Sequence, residues 1–256
     1  MKPNKTLIAA LCLSSLLAFT GAFAATDGEP PHWDYSDPTA WGYLDEAYAM
    51  CKDGQKQSPI DIQRTREKEV GELEFDYNNT PLEILNNGHT LQVNYAPGSS
   101  LKINHKKYRL LQFHFHTPSE HKVGGETAPM EMHFVHADEN GSLAVVGVMM
   151  NYGEENHSFA KILDNAPHSK GTVVVAGESL NGQAFMPRHK DEADDFYNYS
   201  GSLTTPPCSE GVRWFVLKKR ISVSHEQVEE FAEFVHHGNA RPVQGINDRT
   251  VYDNDD

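Results

Sequence analysis

The strongest pattern in this 256-residue sequence lies in Gln112-Phe-His-Phe-His116 and Met130-Glu-Met-His-Phe-Val-His136. Polar and large apolar side chains alternate in both segments. On a β-strand, residues i and i+2 point to the same face, so the alternation predicts two strands. The intervening side chains are all large and apolar: Phe113, Phe115, Met132 and Phe134. We therefore expect both strand faces to be covered, with the polar side chains in a cleft or core.

Short alternating runs continue on both sides of these two segments. Segments 82–85 and 90–95 flank Asn86-Asn87-Gly88, which predicts a hairpin because Asn-Gly accepts the positive φ angles of a tight turn. Further β-rich runs are found at residues 101–103, 108–116, 143–150, 172–175 and 211–217. The pattern is typical of a β-dominated α+β domain built on a sheet of these strands.

Two short helices are predicted at the periphery of this sheet. One covers residues 159–163. The other begins after Ser224, a good N-cap residue, with Gln227 at the capping-box position. Apolar residues then recur at helical spacing at Val228, Phe231, Ala232 and Val235. We expect residues 236–237 in the last turn and Gly238 to end the helix.

The N-terminus has the pattern of a secretory signal peptide over residues 1–24. Two lysines precede an apolar run at 7–18, which is shorter than the roughly 20 residues of a membrane span. Ala22-Phe-Ala24 then matches a cleavage site, so the mature chain is predicted to start at Ala25. An uncleaved anchor, or a lipid on Cys12, fits less well because Cys12 lies inside the apolar run.

The mature chain, residues 25–256, is predicted to be a single domain. It has the length of one large or two small domains, but no linker and no internal repeat are present. Residues 25–57 show no period and are expected to be irregular. Export predicts a periplasmic or secreted protein without a membrane anchor in the mature chain. The formal charge of −14 argues against nucleic acids and anionic membranes as partners.

Two cysteines, Cys51 and Cys208, remain after cleavage. In an oxidising compartment such a pair predicts a disulfide, and two buried free thiols are the alternative. The residues lie 157 positions apart. In the chain-entropy model, a bridge across that distance stabilises the fold by up to roughly 5 kcal/mol.

The histidines on one strand face predict a metal site. His114 and His116 lie about 6–7 Å apart along a strand and can reach one ion. On the second strand, His133 and His136 point to opposite faces, so only one of them can complete the site.

Glu131 distinguishes between these two histidines. A metal-bound imidazole usually donates its second N–H to a carboxylate or a carbonyl. Glu131 shares a face with His133, as Gln112 does with the first histidine pair. The predicted ligands are therefore His114, His116 and His133, with Gln112 and Glu131 as their hydrogen-bond partners.

Three neutral nitrogen ligands suit Zn²⁺ and leave a fourth position open for water, as in a catalytic site. One alternative is a cupin, because His114-x-His116-x-x-x-Glu120 also matches the first cupin metal motif. A cupin needs a second motif, with Pro-x-Gly shortly before its last histidine. The residues before His133 lack that glycine.

Several motifs in one order resemble an alpha-class carbonic anhydrase of the exported bacterial type. The resemblance spans roughly residues 32 to 252, and Thr117-Pro118 departs from the animal pattern. Its motifs are Trp41-Gly-Tyr43, Gln57-Ser-Pro-Ile-Asp-Ile62, Asn86-Asn-Gly-His89, Gln112-Phe-His-Phe-His116, Ser119-Glu-His121, Glu131-Met-His-Phe-Val-His136, Ser202-Leu-Thr-Thr-Pro-Pro207 and Asn239-Ala-Arg-Pro242.

The resemblance implies a large, twisted, mostly antiparallel central sheet. It also implies zinc-dependent, reversible hydration of carbon dioxide to bicarbonate and a proton, by attack of a zinc-bound hydroxide on CO₂. Acidification of the zinc-bound water is known from carbonic anhydrase itself and comes with the resemblance. A non-catalytic zinc-binding or adhesion module on the same fold is the second class of function. The substrates would be CO₂ and bicarbonate, and a homodimer remains open.

The resemblance also implies residue roles. Thr204 would accept a hydrogen bond from the nucleophile and donate its own to Glu120, because a carboxylate can only accept. Thr205 would position substrate and product, and His89 would shuttle the proton. The bonds Ser58-Pro59 and Pro206-Pro207 would be cis. The apolar CO₂ pocket would be formed by Val135, Val145, Leu203 and Trp214.

Overall fold

The computed structural model of the chain describes residues 31–187 and 193–254. The predicted signal peptide, residues 1–24, and its cleavage site lie outside these ranges. The described strands are β1 (Asp61–Ile62), β2 (Thr65–Glu67), β3 (Leu73–Asp76), β4 (Thr80–Asn86), β5 (Leu91–Asn94), β6 (Ser100–Ile103), β7 (Lys106–His116), β8 (Lys122–Val123), β9 (Glu126–Thr127), β10 (Met130–Ala137), β11 (Leu143–Tyr152), β12 (Gly171–Leu180), β13 (Phe196–Ser202), β14 (Glu210–Leu217), β15 (Ile221–Val223) and β16 (Val251–Asn254). The described α-helices are α1 (Trp41–Leu44), α2 (Met50–Asp53), α3 (His157–Leu163) and α4 (His225–Phe234), and short 3₁₀ helices cover Pro38–Ala40, Glu46–Tyr48 and Gly182–Phe185.

Most of these strands belong to one large sheet. Its main path runs β12-β4-β5-β7-β10-β11-β14-β13-β16-β2, with β6 and β15 paired beside it. Most neighbours are antiparallel, and β11 with β14 and β16 with β2 are parallel. The β-dominated fold class with a large, mostly antiparallel sheet is therefore confirmed.

Strands β7 and β10 lie near the middle of this path and are covered on both faces. On one face Phe113 lies opposite Phe134 in a larger apolar core, into which α3 packs Phe159, 4.5 Å from the Phe115 ring. On the other face a smaller apolar cluster includes Trp214. The prediction that neither face of these strands is an open surface is confirmed.

The hairpin predicted at the Asn-Gly turn forms as expected. Strands β4 and β5 pair antiparallel across the Asn-Gly turn, where Gly88 has a φ of 84°. The β10–β11 hairpin also turns at a glycine, Gly141, with a φ of 81°. The β6–β7 turn instead places Asn104 and His105 at positive φ, a conformation that both residue types tolerate better than most.

Helix α4 begins where the sequence predicts and ends earlier. Ser224 accepts from the Gln227 backbone, and the reciprocal bond of the capping box is present. The helix ends at Phe234, so the prediction that His236 and His237 form its last turn is wrong. Both histidines have positive φ, and His237 N–H donates to the carbonyl of Ala232 to close the helix end. In the segment predicted to be irregular, α1, α2 and two 3₁₀ turns are present.

The disulfide prediction is confirmed. The Sγ atoms of Cys51 and Cys208 are bonded at 2.08 Å, linking α2 to the loop between β13 and β14. Within the described ranges, no helix has the length and apolar character needed to cross a membrane.

Candidate metal centre

The register of β7 and β10 brings three histidines together. His133 lies directly opposite His114, and His116 lies opposite Glu131. The ring centroids are 5.0 Å apart for His114 and His116, 5.3 Å for His114 and His133, and 4.5 Å for His116 and His133. One nitrogen of each ring lies within 4.8 Å of the corresponding nitrogens of the other two. Two adjacent antiparallel strands therefore suffice to assemble the set.

A hydrogen bond orients each of the three rings. Nδ1 of His114 lies 2.9 Å from Oε1 of Gln112, and Nε2 of His133 lies 2.9 Å from Oε1 of Glu131. Nδ1 of His116 lies 2.8 Å from the carbonyl oxygen of Asn239. These oxygens accept, so each outer nitrogen carries the proton. The lone pairs of His114 Nε2, His116 Nε2 and His133 Nδ1 are left to face one another.

The inner nitrogens fit a metal ion better than they fit the protein alone. His116 Nε2 is buried and has no hydrogen-bond partner within the described residues. Burial lowers the pKa of His116 to about 4 and also lowers the pKa values of His114 and His133. The rings are therefore neutral at neutral pH, which is the form that binds metal ions.

His136 points to the opposite face of β10 and takes no part in this set. Its Nε2 lies 2.8 Å from the Tyr77 hydroxyl, and its Nδ1 lies 3.2 Å from the carbonyl oxygen of Ala144. Because the carbonyl accepts, the proton lies on Nδ1 and the Tyr77 hydroxyl donates to Nε2. The ring is satisfied within the core.

The loop after β7 places a carboxylate beside the inner nitrogens. Glu120 Oε2 lies 3.6 Å from His116 Nε2 and 3.8 Å from His133 Nδ1, while Oε1 accepts from the backbone N–H of Arg241 at 2.8 Å. Burial raises the pKa of Glu120 to about 7, and His133, the Arg241 N–H and the Thr204 side chain oppose that rise. The arrangement joins the metal centre to the loop that carries Thr204.

Apolar side chains from three neighbouring strands adjoin the histidines. Val135 on β10 is paired with Val145 on β11, which is paired with Trp214 on β14. The Trp214 ring lies 4.8 Å from the His133 ring, and Leu203 packs against the same cluster. The four residues predicted to form a CO₂ pocket are thus neighbours beside the candidate metal centre.

Comparison with known proteins agrees with this geometry. The family model for eukaryotic-type carbonic anhydrases matches residues 36–255. The chain belongs to this family. A carbonic anhydrase of Pectobacterium carotovorum is 36% identical over 242 residues, covering 93% of this chain and 98% of the relative.

Solved carbonic anhydrase structures share the fold. A hyperthermostable carbonic anhydrase from an active hydrothermal vent chimney is 43% identical, with a TM-score of 0.84 and coverage of 88% of this chain and 100% of that chain. The alpha-carbonic anhydrase from Thermovibrio ammonificans, in complex with the inhibitor sulfanilamide, is 40% identical, with a TM-score of 0.82 and coverage of 87% and 99%. Carbonic anhydrases are lyases that hydrate CO₂, and this chain is an enzyme of that family. Bacterial relatives and the disulfide are consistent with an exported protein.

The candidate site also contains residues for which the sequence patterns predict no role. His121 is fully buried, with Nδ1 2.7 Å from Glu131 Oε1 and Nε2 2.6 Å from the Tyr199 hydroxyl, which in turn lies 2.8 Å from Ser58 Oγ. Burial alone would raise the pKa of Glu131, but His121 and His133 hold it well below its usual range. Only the motif Ser119-Glu-His121 pointed to His121.

Long-range contacts hold the loop of Thr204 in place. The Arg241 guanidinium donates to Gln57 Oε1, to the Ser58 carbonyl and to the Cys51 carbonyl, and Gln57 Nε2 donates to the Cys208 carbonyl. The predicted cis bonds Ser58-Pro59 and Pro206-Pro207 are present, and Thr117-Pro118 is cis as well.

His89 lies half-buried after the turn between β4 and β5. Its ring stacks on Trp33, with centroids 3.8 Å apart. Burial, followed by the positive charges of Lys170 and His32, lowers the pKa of His89, while Asp34 opposes the shift. One side of the His89 ring therefore packs against the protein, and the rest of the ring is exposed to solvent.

Proposed function

We propose that the chain binds one Zn²⁺ through His114 Nε2, His116 Nε2 and His133 Nδ1 and uses it to hydrate CO₂ reversibly to bicarbonate and a proton. The observation that carries this proposal is the convergence of three imidazole lone pairs, each set by an acceptor on its other nitrogen. Three neutral nitrogens suit zinc and leave a position for substrate chemistry.

A second group of potential ligands, His121, Glu131 and His133, is less suited to a metal ion. Glu131 Oε1 already accepts from His121 Nδ1 and from His133 Nε2. Both ring nitrogens of His121 are engaged as well. A metal there would have to break these bonds. In the group of His114, His116 and His133, each ring instead keeps an unused lone pair on its inner nitrogen.

Zinc at this site would acidify a water molecule, and the protein then has to orient the nucleophile. As a carboxylate, Glu120 can only accept, and its Oε1 is occupied by the Arg241 N–H. The Thr204 hydroxyl would then donate to Glu120, and its oxygen lone pairs would be left to accept a hydrogen bond from the attacking oxygen. Fixing this direction places the nucleophile's own lone pair toward the substrate.

CO₂ would lie beside that oxygen against an apolar wall, which has no group of its own that could react with the substrate carbon. The wall would be formed by Val135, Val145, Leu203 and Trp214. Thr205, the next residue after Thr204, would position CO₂ and the bicarbonate product. His89 would carry the released proton to solvent, since imidazole titrates near neutral pH.

We further propose that residues 1–24 are a cleaved signal peptide and that residues 25–256 act as a single domain in the periplasm or outside the cell. The Cys51–Cys208 bridge supports an oxidising destination.

Zinc content and CO₂ hydration of matched variants test the function. His133→Ala should lose stoichiometric zinc and hydration, whereas His136→Ala should keep the metal because His136 lies on the other strand face. Sulfanilamide, the inhibitor bound by the Thermovibrio ammonificans relative, should inhibit the parent enzyme. Zinc retention in His133→Ala with loss in His136→Ala would overturn the ligand assignment. A parent protein that binds zinc but does not hydrate CO₂ would favour the alternative of a non-catalytic zinc-binding module.

A further inference from the structure

A groove lined by four histidines opens beside the turn between β4 and β5. It encloses about 550 Å³. A second cavity of about 250 Å³ shares His89 and His236 with it. The groove histidines are His32, His89, His168 and His236, and its charged side chains are Asp34, Lys170, Glu230 and Glu233.

The backbone after α4 directs one of two adjacent histidines into this groove. His236 and His237 have φ values of 53° and 74°, which are uncommon for residues other than glycine. His236 lines both cavities, whereas His237 lines neither. The two residues share a backbone conformation and an exposed position, and only one faces the groove.

Acidic side chains and a second histidine lie near His236 in the groove. His236 follows the carboxyl end of α4, where the helix dipole is negative. Glu230 and Glu233 lie on the same helix and line the same groove. His168 lies beside them, its ring stacked on Phe234 with centroids 5.3 Å apart. Two imidazoles and two carboxylates therefore lie together in this part of the groove.

His89 lines both cavities together with His236. Its charged neighbours are Lys170, His32 and Asp34, and burial together with the two positive groups makes its protonated form give up a proton readily. A base beyond it in the groove would take that proton away from the metal centre.

We propose that this groove is the exit path of the catalytic proton, with His236 and His168 accepting it from His89 and passing it to buffer. The inference rests on the proposed function. In each transfer an N–H bond of the donor imidazolium breaks and one forms on a neutral imidazole, directly or through water. A buffer base takes the proton from the last ring, so both histidines return to neutral.

Kinetics of the zinc-loaded enzyme test this path. His168→Gln combined with His236→Asn should lower kcat in dilute buffer by roughly threefold or more, with kcat/KM unchanged and added imidazole restoring the loss. Asparagine suits position 236 because it tolerates positive φ. His237→Asn, at the same helix end but outside the groove, is the matched control and should behave like the parent.

An NMR titration of His89 supplies a readout that does not depend on turnover. In metal-free and zinc-loaded protein, His236→Asn should shift the pH midpoint at which the His89 ring resonances titrate, because interacting titratable groups share their apparent midpoints. His237→Asn should leave it unchanged.

Failure of the groove proposal can be told from failure of the proposed function. If the parent hydrates CO₂ and His89→Ala slows kcat in dilute buffer, but the double variant matches the parent, the groove is not the exit path. If the parent binds no zinc or does not hydrate CO₂, the proposed function fails. An unshifted His89 titration in His236→Asn would overturn the coupling in either case.

Discussion

Asn239 connects the end of strand β7, which carries two candidate ligands, to the hairpin that carries His89. Its carbonyl accepts from His116, and its side chain exchanges hydrogen bonds with the backbone of Thr117, Phe115 and His89. The side chain is fully buried, so these donors and acceptors have no water to replace them. One amide thus fixes a candidate zinc ligand and the start of the proton path together.

Asn239→Asp should therefore weaken the site without removing a ligand. The change deletes the two Nδ2–H donors and places a carboxylate beside the carbonyls of His89 and Phe115. We expect zinc affinity to fall by roughly tenfold, measured by competition with a chelator. Asn247→Asp, at an exposed amide that also donates to a backbone carbonyl, is the control. Unchanged affinity in Asn239→Asp would show that the ligand geometry does not depend on this side chain.

His136 should make the fold sensitive to acid. Burial lowers its pKa to about 4, against an ordinary value of 6.5. Between these pH values the unfolded chain binds a proton that the folded chain does not, so the free energy of unfolding falls as pH falls. This single group should remove about 3 kcal/mol of stability between pH 6.5 and 4 and nothing further below that.

The His136 contribution is measured as a difference between variants. Glutamine can donate to the Ala144 carbonyl and accept from Tyr77, so His136→Gln should show a shallower loss of stability over that window in denaturant unfolding. His157→Gln, at an exposed histidine, should follow the parent curve. Identical pH profiles for His136→Gln and the parent would contradict the assignment.

At the scale of elements, local patterns predicted what local forces determine. The alternation in β7 and β10, the Asn-Gly turn and the Ser224 capping box all act over a few residues, and each forms as expected. The early end of α4 was missed because Gly238 suggested a later stop. The chain instead closes the helix with a His237 N–H to Ala232 bond at positive φ, a conformation that no composition rule requires of histidine.

The partners of the ligands were predictable only where they share a strand with them. Gln112 and Glu131 lie two residues from their histidines, so strand parity identifies them. Asn239 and Arg241 reach the site from more than 120 positions away along the chain. No periodicity connects such residues, because their contacts depend on how the finished sheet packs.

The bridge between α2 and the loop after β13 should stabilise both the fold and the catalytic loop. Cys208 lies four residues after Thr204, and the loop it closes spans 157 positions. Replacing both cysteines by alanine should lower the free energy of unfolding by up to roughly 5 kcal/mol in the chain-entropy model. Urea unfolding and hydration kinetics of the double variant measure the two effects. Alkylation of two thiols in the native exported protein would contradict the bridge.

At the scale of the whole molecule, the proposed signal-peptide cleavage determines where the mature chain begins. Export with cleavage after Ala24 predicts a mature protein that begins at Ala25 and contains one disulfide. Intact-mass and N-terminal measurements on protein from the periplasm or medium check both points. Replacing Ala22 and Ala24 by bulky residues should block processing, and replacing Thr26 should not. Unprocessed protein in the parent would contradict the signal peptide.

The hydrogen bond between His116 and Asn239 sets the order in which the site is completed. Because the chain emerges N-terminus first, β7 and β10 are available early, and these strands can pair as soon as both have emerged. The acceptor for His116 lies 123 positions later, and the N–H that binds Glu120 lies 121 positions later. Until residue 241 has emerged, the ligand cage therefore remains open on one side. If the chain is exported and binds zinc as proposed, stable metal loading would then be a late event that takes place at the destination and depends on the metal supply there.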